Sequence, residues 1–338
     1  ILIMNKLFEC IINKKSSVVP IWFMRQAGRY LPEFRRIRKK NQNFIKLCLD
    51  PELVKDITLQ PLKRFNLDAT IIFSDILIIP YGLGQKVEFK KGIGPVLENF
   101  DLDKIIKNTP EDFIKKVSPV YKAISKVKQT TGEESLVGFV GAPWTLLVYM
   151  LNKQSPKKDF NFNIINKDKS LIKKLLKKLE ETICLHINRQ VEAGANVIQI
   201  FDSWAGLLPE EELSNYCFDP TLKIVEHIKS LKIPVICFPK GIGKNYENFC
   251  SIVKPDCISI DHDVDPEWIK ERSGGITIQG GMDPKILLSG KEKIKNSVEK
   301  YLKIFSGYPY IFNLGHGVLP ETKPETIEYV VQTARNKK

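Results

Sequence analysis

Eight short apolar runs rich in β-branched residues recur along this chain, and their repetition constrains the fold more than any other feature of the sequence. Each run ends in a polar residue, a glycine or a proline, which is typical of strands buried on both faces. The runs cover residues 18–24, 68–75, 136–143, 195–203, 234–241, 257–263, 276–283 and 310–317. Between them lie segments with helical periodicity, of which 170–194 and 220–232 are the clearest.

This alternation of strands and helices predicts a parallel sheet with crossover helices. Eight such units favour an α/β fold in which residues 1–338 form a single-domain (β/α)8 TIM barrel with an N-terminal extension. The chain is longer than the roughly 250 residues typical of this barrel. We expect the surplus in longer loops around 82–131 and 152–170. An open doubly wound sheet is the alternative fold.

The composition argues against two classes of partner. The chain has 52 basic and 39 acidic residues, a formal charge of +13, but its lysines are spread along the whole length and no zinc-finger or RNP-like motif occurs, so we predict no nucleic-acid partner. No apolar run approaches the roughly 18 residues needed to cross a bilayer, so we predict no membrane partner.

Cysteine usage bears on the compartment. The seven cysteines are an odd number in a long chain, which favours reduced thiols and a cytoplasmic location. The start "ILIM" before Asn5 predicts extra residues ahead of Met4 rather than a targeting signal.

Arginine is concentrated in one stretch, "FMRQAGRYLPEFRRIR", residues 23–38. Five of the nine arginines fall there: Arg25, Arg29, Arg35, Arg36 and Arg38. A planar guanidinium grips a carboxylate or phosphate through two parallel hydrogen bonds, which lysine cannot do. The cluster therefore suggests recognition of an oxyanion, with a solvated basic helix face as the alternative.

Polar residues stand where each predicted strand ends, and active sites of (β/α)8 barrels gather at that edge. These residues are Arg25, Arg29, Asp75, Trp144, Tyr149, Asp202, Ser203, Lys240, Asp261, Asp283 and His316. Each is alternatively a helix cap or turn former. Asp75 stands out because "TIIFSDILIIP" places one carboxylate within an apolar run, where it needs either a partner on a neighbouring strand or a cationic or N–H-donating ligand. His316 lies between two glycines, which permit close approach to a ligand or a sharp turn.

Cofactor and metal motifs are missing. "GLGQKV" (82–87) lacks the third glycine of a dinucleotide fingerprint, and "GIGK" (241–244) is too short for a phosphate loop. No CxxC or HExxH occurs. We therefore predict no cofactor and no metal.

Five motifs together are more specific than these general patterns: "PIWFMRQAGRYLPEFR", "TLQPLKRFNLDATIIFSDILIIP", "VGFVGAPWTLLVYM", "IQIFDSWAG" and "FNLGHGVLPET". In this order they resemble the uroporphyrinogen decarboxylase family over nearly the whole chain. The resemblance implies a single, somewhat distorted (β/α)8 barrel, usually a homodimer with facing clefts. It also implies cofactor-independent decarboxylation of the four acetate side chains of uroporphyrinogen III, giving coproporphyrinogen III.

The resemblance further implies roles for individual residues. Those matching the substrate-binding positions of the family are Arg25, Gln26, Ala27, Gly28, Arg29, Asp75, Tyr149, Ser203 and His316, with Arg38 as a further basic position. Asp75 would accept the pyrrole N–H groups and stabilise positive charge on the ring, and His316 would contact a side-chain carboxylate. Arg25, Tyr149 and water are rival proton donors.

Two segments depart from the family pattern: "QGGMDP" (279–284) stands where "QGNLDP" is common, and Asp261-His262 where "DW" is usual. A corrinoid- or thiol-dependent methyltransferase of the same superfamily is the alternative function.

Overall fold

The computed structural model describes residues 5–15, 18–156 and 160–336, so the residues ahead of Asn5 lie outside the described part. The strands are β1 Ala69–Ile71, β2 Val87–Lys90, β3 Gly94–Leu97, β4 Ser135–Gly141, β5 Val197–Asp202, β6 Val235–Pro239, β7 Cys257–Ile260, β8 Thr277–Gly280 and β9 Tyr310–Ile311. The helices are α1 Lys6–Ile12, α2 Pro32–Lys40, α3 Phe44–Cys48, α4 Pro51–Arg64, α5 Ile78–Gly82, α6 Leu102–Lys107, α7 Pro110–Lys128, α8 Pro143–Asn152, α9 Asn163–Lys167, α10 Lys169–Glu192, α11 Asp219–Ser230, α12 Tyr246–Val253, α13 Pro266–Arg272, α14 Lys291–Ile304 and α15 Pro324–Arg335.

Seven parallel strands form one curled sheet in the order β1-β4-β5-β6-β7-β8-β9. Strands β2 and β3 form a separate antiparallel hairpin. Helices connect the successive parallel strands, as the alternating pattern predicted, and α10 and α11 occupy the two segments where helical periodicity was clearest. The fold is therefore α/β and TIM-barrel-like.

The predicted first strand, 18–24, is reduced to one parallel bridge between Ile21 and Phe312. Hydrogen bonds flank it on both sides: Phe312 N–H donates to Pro20 O at 2.8 Å, and Asp68 N–H donates to Ile21 O at 2.9 Å. A longer ladder does not form because Pro20 has no N–H to donate and the chain turns sharply at Arg25, where φ is 59°.

The prediction of a long loop over 82–131 is wrong. This segment holds the β2–β3 hairpin, α6 and the 19-residue α7, which carries the crossover from β1 to β4. Thr109 caps α7 through the Asp112 N–H, and Pro110 occupies the first turn, where no N–H is needed. The predicted loop over 152–170 contains the short helix α9, and residues 157–159 lie outside the described part.

The concave face of the sheet is filled by one side-chain cluster, and α1 closes its N-terminal end. Leu7, Cys10 and Ile11 of α1 join inward-facing residues from the strands in this cluster. Backbone and side-chain bonds fix the helix there, since Thr277 Oγ1 donates to Cys10 O at 3.1 Å. The loops that follow the parallel strands lie at the opposite, C-terminal ends.

Asp68 fastens the sheet edge next to Ile21. Its side chain is 5% exposed; it accepts from Ile21 N–H at 2.7 Å and forms ion pairs with Lys6, at 3.0 Å, and Arg335. We expect Asp68→Ala to lower the free energy of unfolding by about 3 kcal/mol, because it leaves a nearly buried guanidinium unpaired. Urea denaturation measures this. Lys6→Ala, which removes a half-exposed partner, should cost about 1 kcal/mol or less; equal losses for the two variants would contradict the prediction.

All seven cysteines are free thiols, six of them buried. Within residues 5–15, 18–156 and 160–336, no helix has the length and apolar character needed to cross a bilayer.

Candidate active site at the strand ends

Arg25 lies where the segment after the Ile21 bridge leaves the sheet edge. Its side chain is exposed to solvent, and its guanidinium forms no hydrogen bond or ion pair with any described residue. Surrounding protein nevertheless lowers the pKa of the guanidinium, with Asp75 and Tyr149 acting in the opposite direction. The guanidinium is therefore reached by solvent and yet lies close to surrounding protein.

The five clustered arginines have different surroundings. Arg29 is exposed, without a described partner, and close enough to Arg25 for the two charges to repel. Arg35 donates to the carbonyls of residues 29 and 30, both at 2.8 Å. Arg38 donates to the carbonyls of residues 41 and 42, and Arg36 lines a groove on the outer face of α2. Of these five arginines, only Arg25 and Arg29 lie at the strand ends with guanidiniums that no described residue binds.

Residues 26–28 form the turn between these two arginines. Gln26 is fully buried: its Oε1 accepts from Phe23 N–H at 3.0 Å, and its Nε2 donates to Ala69 O at 3.2 Å. Its amide is thus committed to the fold. Ala27 and Gly28 are half-buried, and a Cβ at position 28 would lie 2.8 Å from Arg25 O. The three residues shape the wall and set the spacing of the guanidiniums.

Asp75 lies in the loop between β1 and α5, four residues beyond the last residue of the strand. Its Oδ1 accepts from Leu77 N–H at 2.9 Å, and it forms no ion pair with any described residue. Burial raises the pKa of this carboxyl to about 6, although the Leu77 hydrogen bond and the Arg25 charge favour ionisation. The carboxylate is therefore half-buried, unpaired and available to a cationic or N–H-donating ligand.

Tyr149 and Ser203 lie on two neighbouring elements of the chain. Tyr149 is on α8; Ser155 Oγ donates to its hydroxyl oxygen at 3.4 Å. Burial raises the pKa of Tyr149, and Asp75 contributes in the same direction. Ser203 directly follows β5, and its hydroxyl has no described partner. Asp75, Arg25 and Tyr149 thus influence one another's pKa, which places the three predicted catalytic residues together.

His316 adds a neutral imidazole. Gly317 N–H donates to His316 Nδ1 at 2.7 Å, so the ring proton must be on Nε2. Burial, together with the charges of Arg25, Lys240 and His262, lowers the pKa of His316 to about 3. At neutral pH the side chain is therefore a hydrogen-bond donor without charge.

Several polar residues at the predicted strand ends have structural roles. Trp144 is fully buried. Asp202 is buried with its Oδ1 accepting from Thr145 Oγ1 at 2.6 Å, and burial raises its pKa to about 6. Asp261 accepts from Gly241 N–H at 2.7 Å and Tyr246 hydroxyl at 3.1 Å, and Asp283 caps the 3-10 turn after β8. These positions hold the loops that carry the site.

Two contributors escaped the sequence analysis as site residues. The Trp204 ring lies edge-on to Tyr149 with centroids 5.9 Å apart, and its adjacency to Ser203 in "IQIFDSWAG" is the signal that could have identified it. Gly317 packs against Arg25: a Cβ there would lie 2.6 Å from Arg25 Cγ and 3.0 Å from Nε.

Gly317→Ala is predicted to displace the Arg25 side chain. Since a misplacement of about 1 Å at a reacting centre can cost about 100-fold in rate, we expect a loss of that order in kcat/KM with little change in melting temperature. Gly290→Ala is the matched control, because a Cβ at that position meets nothing within 4 Å. Equal activity of the two variants would show that the contact with Arg25 is unimportant.

The family departures lie beside the site. Gly281 of "QGGMDP" has φ 96° and packs against Tyr301. His262 lies against Gly315, near His316. In the described part of the chain, no three His, Cys, Asp or Glu side chains come together as a metal site would require.

Comparison with known proteins gives consistent names. Residues 4–337 match the family model described as "Uroporphyrinogen decarboxylase (URO-D)". A protein named uroporphyrinogen decarboxylase from Rickettsia bellii (strain RML369-C) is 45% identical over 329 residues, covering 96% of each chain. A protein of the same name from Rickettsia canadensis (strain McKiel) is 43% identical over 330 residues, covering 96% of this chain and 97% of that protein.

Among solved structures, a methyltransferase from Methanosarcina mazei superposes with a TM-score of 0.80 at 17% identity, covering 98% of both chains. At that identity the likeness shows the fold alone.

Proposed function

Because this chain belongs to the uroporphyrinogen decarboxylase family, we infer that it is a carboxy-lyase that decarboxylates uroporphyrinogen. We propose specifically that it converts the four acetate side chains of uroporphyrinogen III to methyl groups, releasing CO2 and giving coproporphyrinogen III. The substrate is a cyclic tetrapyrrole with eight carboxylates at its rim and four N–H groups pointing inward. A site for it must offer cations at the edge and an acceptor at the centre.

One observation supports this proposal: neither the Asp75 carboxylate nor the Arg25 guanidinium forms an ion pair with a described residue, yet Arg25 is close enough to act on the pKa of Asp75. Two opposite charges that lie near each other without forming an ion pair are suited to separate parts of one ligand. Asp75 would accept the inward N–H groups, whereas Arg25 and Arg29 would hold rim carboxylates through bidentate hydrogen bonds. Ser203 and His316 Nε2–H supply further donors at the same edge.

The reaction needs an electron sink, because loss of CO2 from an acetate would otherwise leave a carbanion. Protonation of the pyrrole carbon beside the acetate-bearing carbon makes the ring cationic, and the ring accepts the C–C bonding electrons as CO2 departs. The exocyclic CH2 then takes up a proton to become methyl, and the ring carbon returns its proton, so one proton is consumed per CO2 released. Asp75 stabilises the cationic ring more than the neutral substrate, and this difference accelerates the chemical step.

Two acids face the reacting ring. Tyr149, whose pKa is raised by burial, keeps its proton at neutral pH, and Arg25 is a stronger acid than an ordinary guanidinium because the surrounding protein lowers its pKa. Water held beside an arginine-bound carboxylate is the third candidate donor.

Anaerobic incubation of the purified protein with enzymatically generated uroporphyrinogen III tests the proposal. Separation of the oxidised products by carboxylate number should show seven-, six-, five- and four-carboxylate porphyrins in succession. Unchanged octacarboxylate after prolonged incubation would reject the proposed reaction.

The pH dependence should report Asp75. Its pKa is raised from 3.8 to about 6, so the required anion is lost as the pH falls through about 6. We expect kcat/KM to decline below that pH. His316, with a pKa of about 3, contributes nothing in this window, but the pKa of Asp202 is also raised to about 6, so the decline is assigned to Asp75 by its persistence in Asp202→Asn. A steady-state profile of kcat/KM against pH measures this decline on the acid side. A profile flat from pH 5 to 8 would show that Asp75 does not act as an anion.

We propose that the 20–22 segment closes the curled sheet into the predicted (β/α)8 barrel, with residues 1–338 as one domain. Its bonds to Phe312 on one side and to Asp68 on the other support this closure.

We also propose a homodimer with facing clefts and a cytoplasmic location. The family resemblance supports the homodimer, and the seven free thiols support the location. Light scattering during size-exclusion chromatography would test the dimer.

A further inference from the structure

Asn313 is a fully buried side chain two residues beyond the last residue of β9. Its Oδ1 accepts from Met24 N–H at 3.0 Å and from Leu314 N–H at 2.8 Å. Its Nδ2 has no described hydrogen-bond partner. Of the two polar atoms of this side chain, the oxygen is the one that binds Met24, the residue that precedes Arg25.

The same loop holds Met24 a second time. Val318 N–H donates to Met24 O at 2.9 Å, so both polar backbone groups of Met24 are bound by residues 313–318. Within this loop Gly317 lies against the Arg25 side chain and donates its N–H to His316. One loop thus binds the backbone beside Arg25, contacts the Arg25 side chain and contains His316.

Arg25 needs such support because its φ of 59° is disfavoured for a residue with a Cβ. Conformations of this kind persist only where the surrounding structure over-determines them. Without Asn313 Oδ1, the Met24 N–H would be buried without an acceptor. The turn would then relax toward negative φ and move the guanidinium away from the cleft.

We propose that Asn313 is a positioning residue. Its Oδ1 holds the Arg25 backbone in the left-handed conformation, and this keeps the guanidinium near His316. The inference rests on the proposed decarboxylation for its consequence in turnover, but its structural claim stands apart from that activity.

Three variants test it. Asn313→Leu removes the acceptor at similar volume, and Asn313→Asp keeps an acceptor oxygen. Asn196→Leu is the matched control: Asn196 Oδ1 likewise accepts a backbone N–H, from Leu136 at 2.9 Å, but at the N-terminal ends of the strands, far from the cleft. Both leucine variants should lower the melting temperature.

In turnover of uroporphyrinogen III, we expect Asn313→Leu to lower kcat/KM by about 100-fold, the cost of a misplaced reacting group. Asn196→Leu should keep nearly wild-type kinetics, and Asn313→Asp should recover most of the activity. Equal kinetic losses in the two leucine variants, or no recovery with aspartate, would overturn the proposal.

A second readout does not depend on turnover. Arg25 is one of the charges that lower the pKa of His316; Lys240 and His262 are the others. If Arg25 moves away, NMR titration should show a higher His316 pKa in Asn313→Leu but not in Asn196→Leu. An unchanged His316 pKa would overturn the proposal. If the wild-type protein had no decarboxylase activity, the proposed function would be rejected. The titration of His316 would still decide whether Asn313 positions Arg25.

Discussion

Asp75→Asn should lose about 1,000-fold in kcat while the protein stays folded, because it removes the central negative charge at nearly constant volume. Electrostatic stabilisation by one preorganised group is worth about 100- to 1,000-fold in comparable sites. Asn also turns one acceptor oxygen into a donor, which would face the substrate N–H groups. Single-turnover kinetics with uroporphyrinogen III measures the loss at the chemical step.

The stability of the same variant should change in the opposite direction. Because the pKa of Asp75 is raised from 3.8 to about 6 in the folded state, its ionisation opposes folding as the pH rises through that window. At neutral pH Asp75→Asn should therefore raise the melting temperature. Asp283→Asn is the control, since that side chain caps a turn at another strand end. An active Asp75→Asn would refute the central role of the carboxylate.

Arg25→Lys is expected to lower kcat/KM by about 100-fold despite the conserved charge. Lysine presents a point charge and cannot form the two parallel hydrogen bonds of a guanidinium to a carboxylate. The left-handed backbone is equally disfavoured for both residues, so the comparison isolates the head group. Saturation kinetics should show a higher KM and a lower kcat.

Arg36→Lys provides the matched comparison, because Arg36 belongs to the same cluster but lines the outer groove. It should retain wild-type kinetics. If Arg25→Lys also retained wild-type kinetics, the five arginines of residues 23–38 would form no more than a solvated basic surface.

Periodicity identified the parallel strands because each is a short apolar run with one polar boundary. It overextended the first and last of them, since strand length at the sheet edge depends on hydrogen-bond partners distant in sequence: Pro20 and Phe312 are such a pair. Helix α7 escaped notice within the supposed loop because Pro110 and Pro119 interrupt its pattern, although Pro110 is compatible with the first turn.

For the candidate site, too, the sequence predicted some features, whereas others depend on the tertiary structure. A lone carboxylate in an apolar run marked Asp75, and its side chain forms no ion pair with any described residue. Residue type alone did not separate Arg25 and Arg29 from Arg35 and Arg38, whose guanidiniums are occupied by nearby carbonyls. That distinction depends on where the turn directs each side chain. Likewise, Gln26 has a suitable side chain for a ligand, but it is committed to Ala69 and Phe23.

Helix α1 is made early on the ribosome, yet some of its contacts are made late. Cys10 donates through its thiol to the carbonyl of Tyr310, 300 positions downstream, and Lys14 bonds with residues 256 and 277. Leu7 and Ile11 also pack with residues of earlier strands, such as Ala69 and Val137, but the late contacts form only once residues up to 310 have emerged. Contacts between residues so distant in sequence slow folding and leave part of the apolar surface of the helix exposed during synthesis. Nascent chains should accordingly depend on chaperones most strongly just before the final strand emerges.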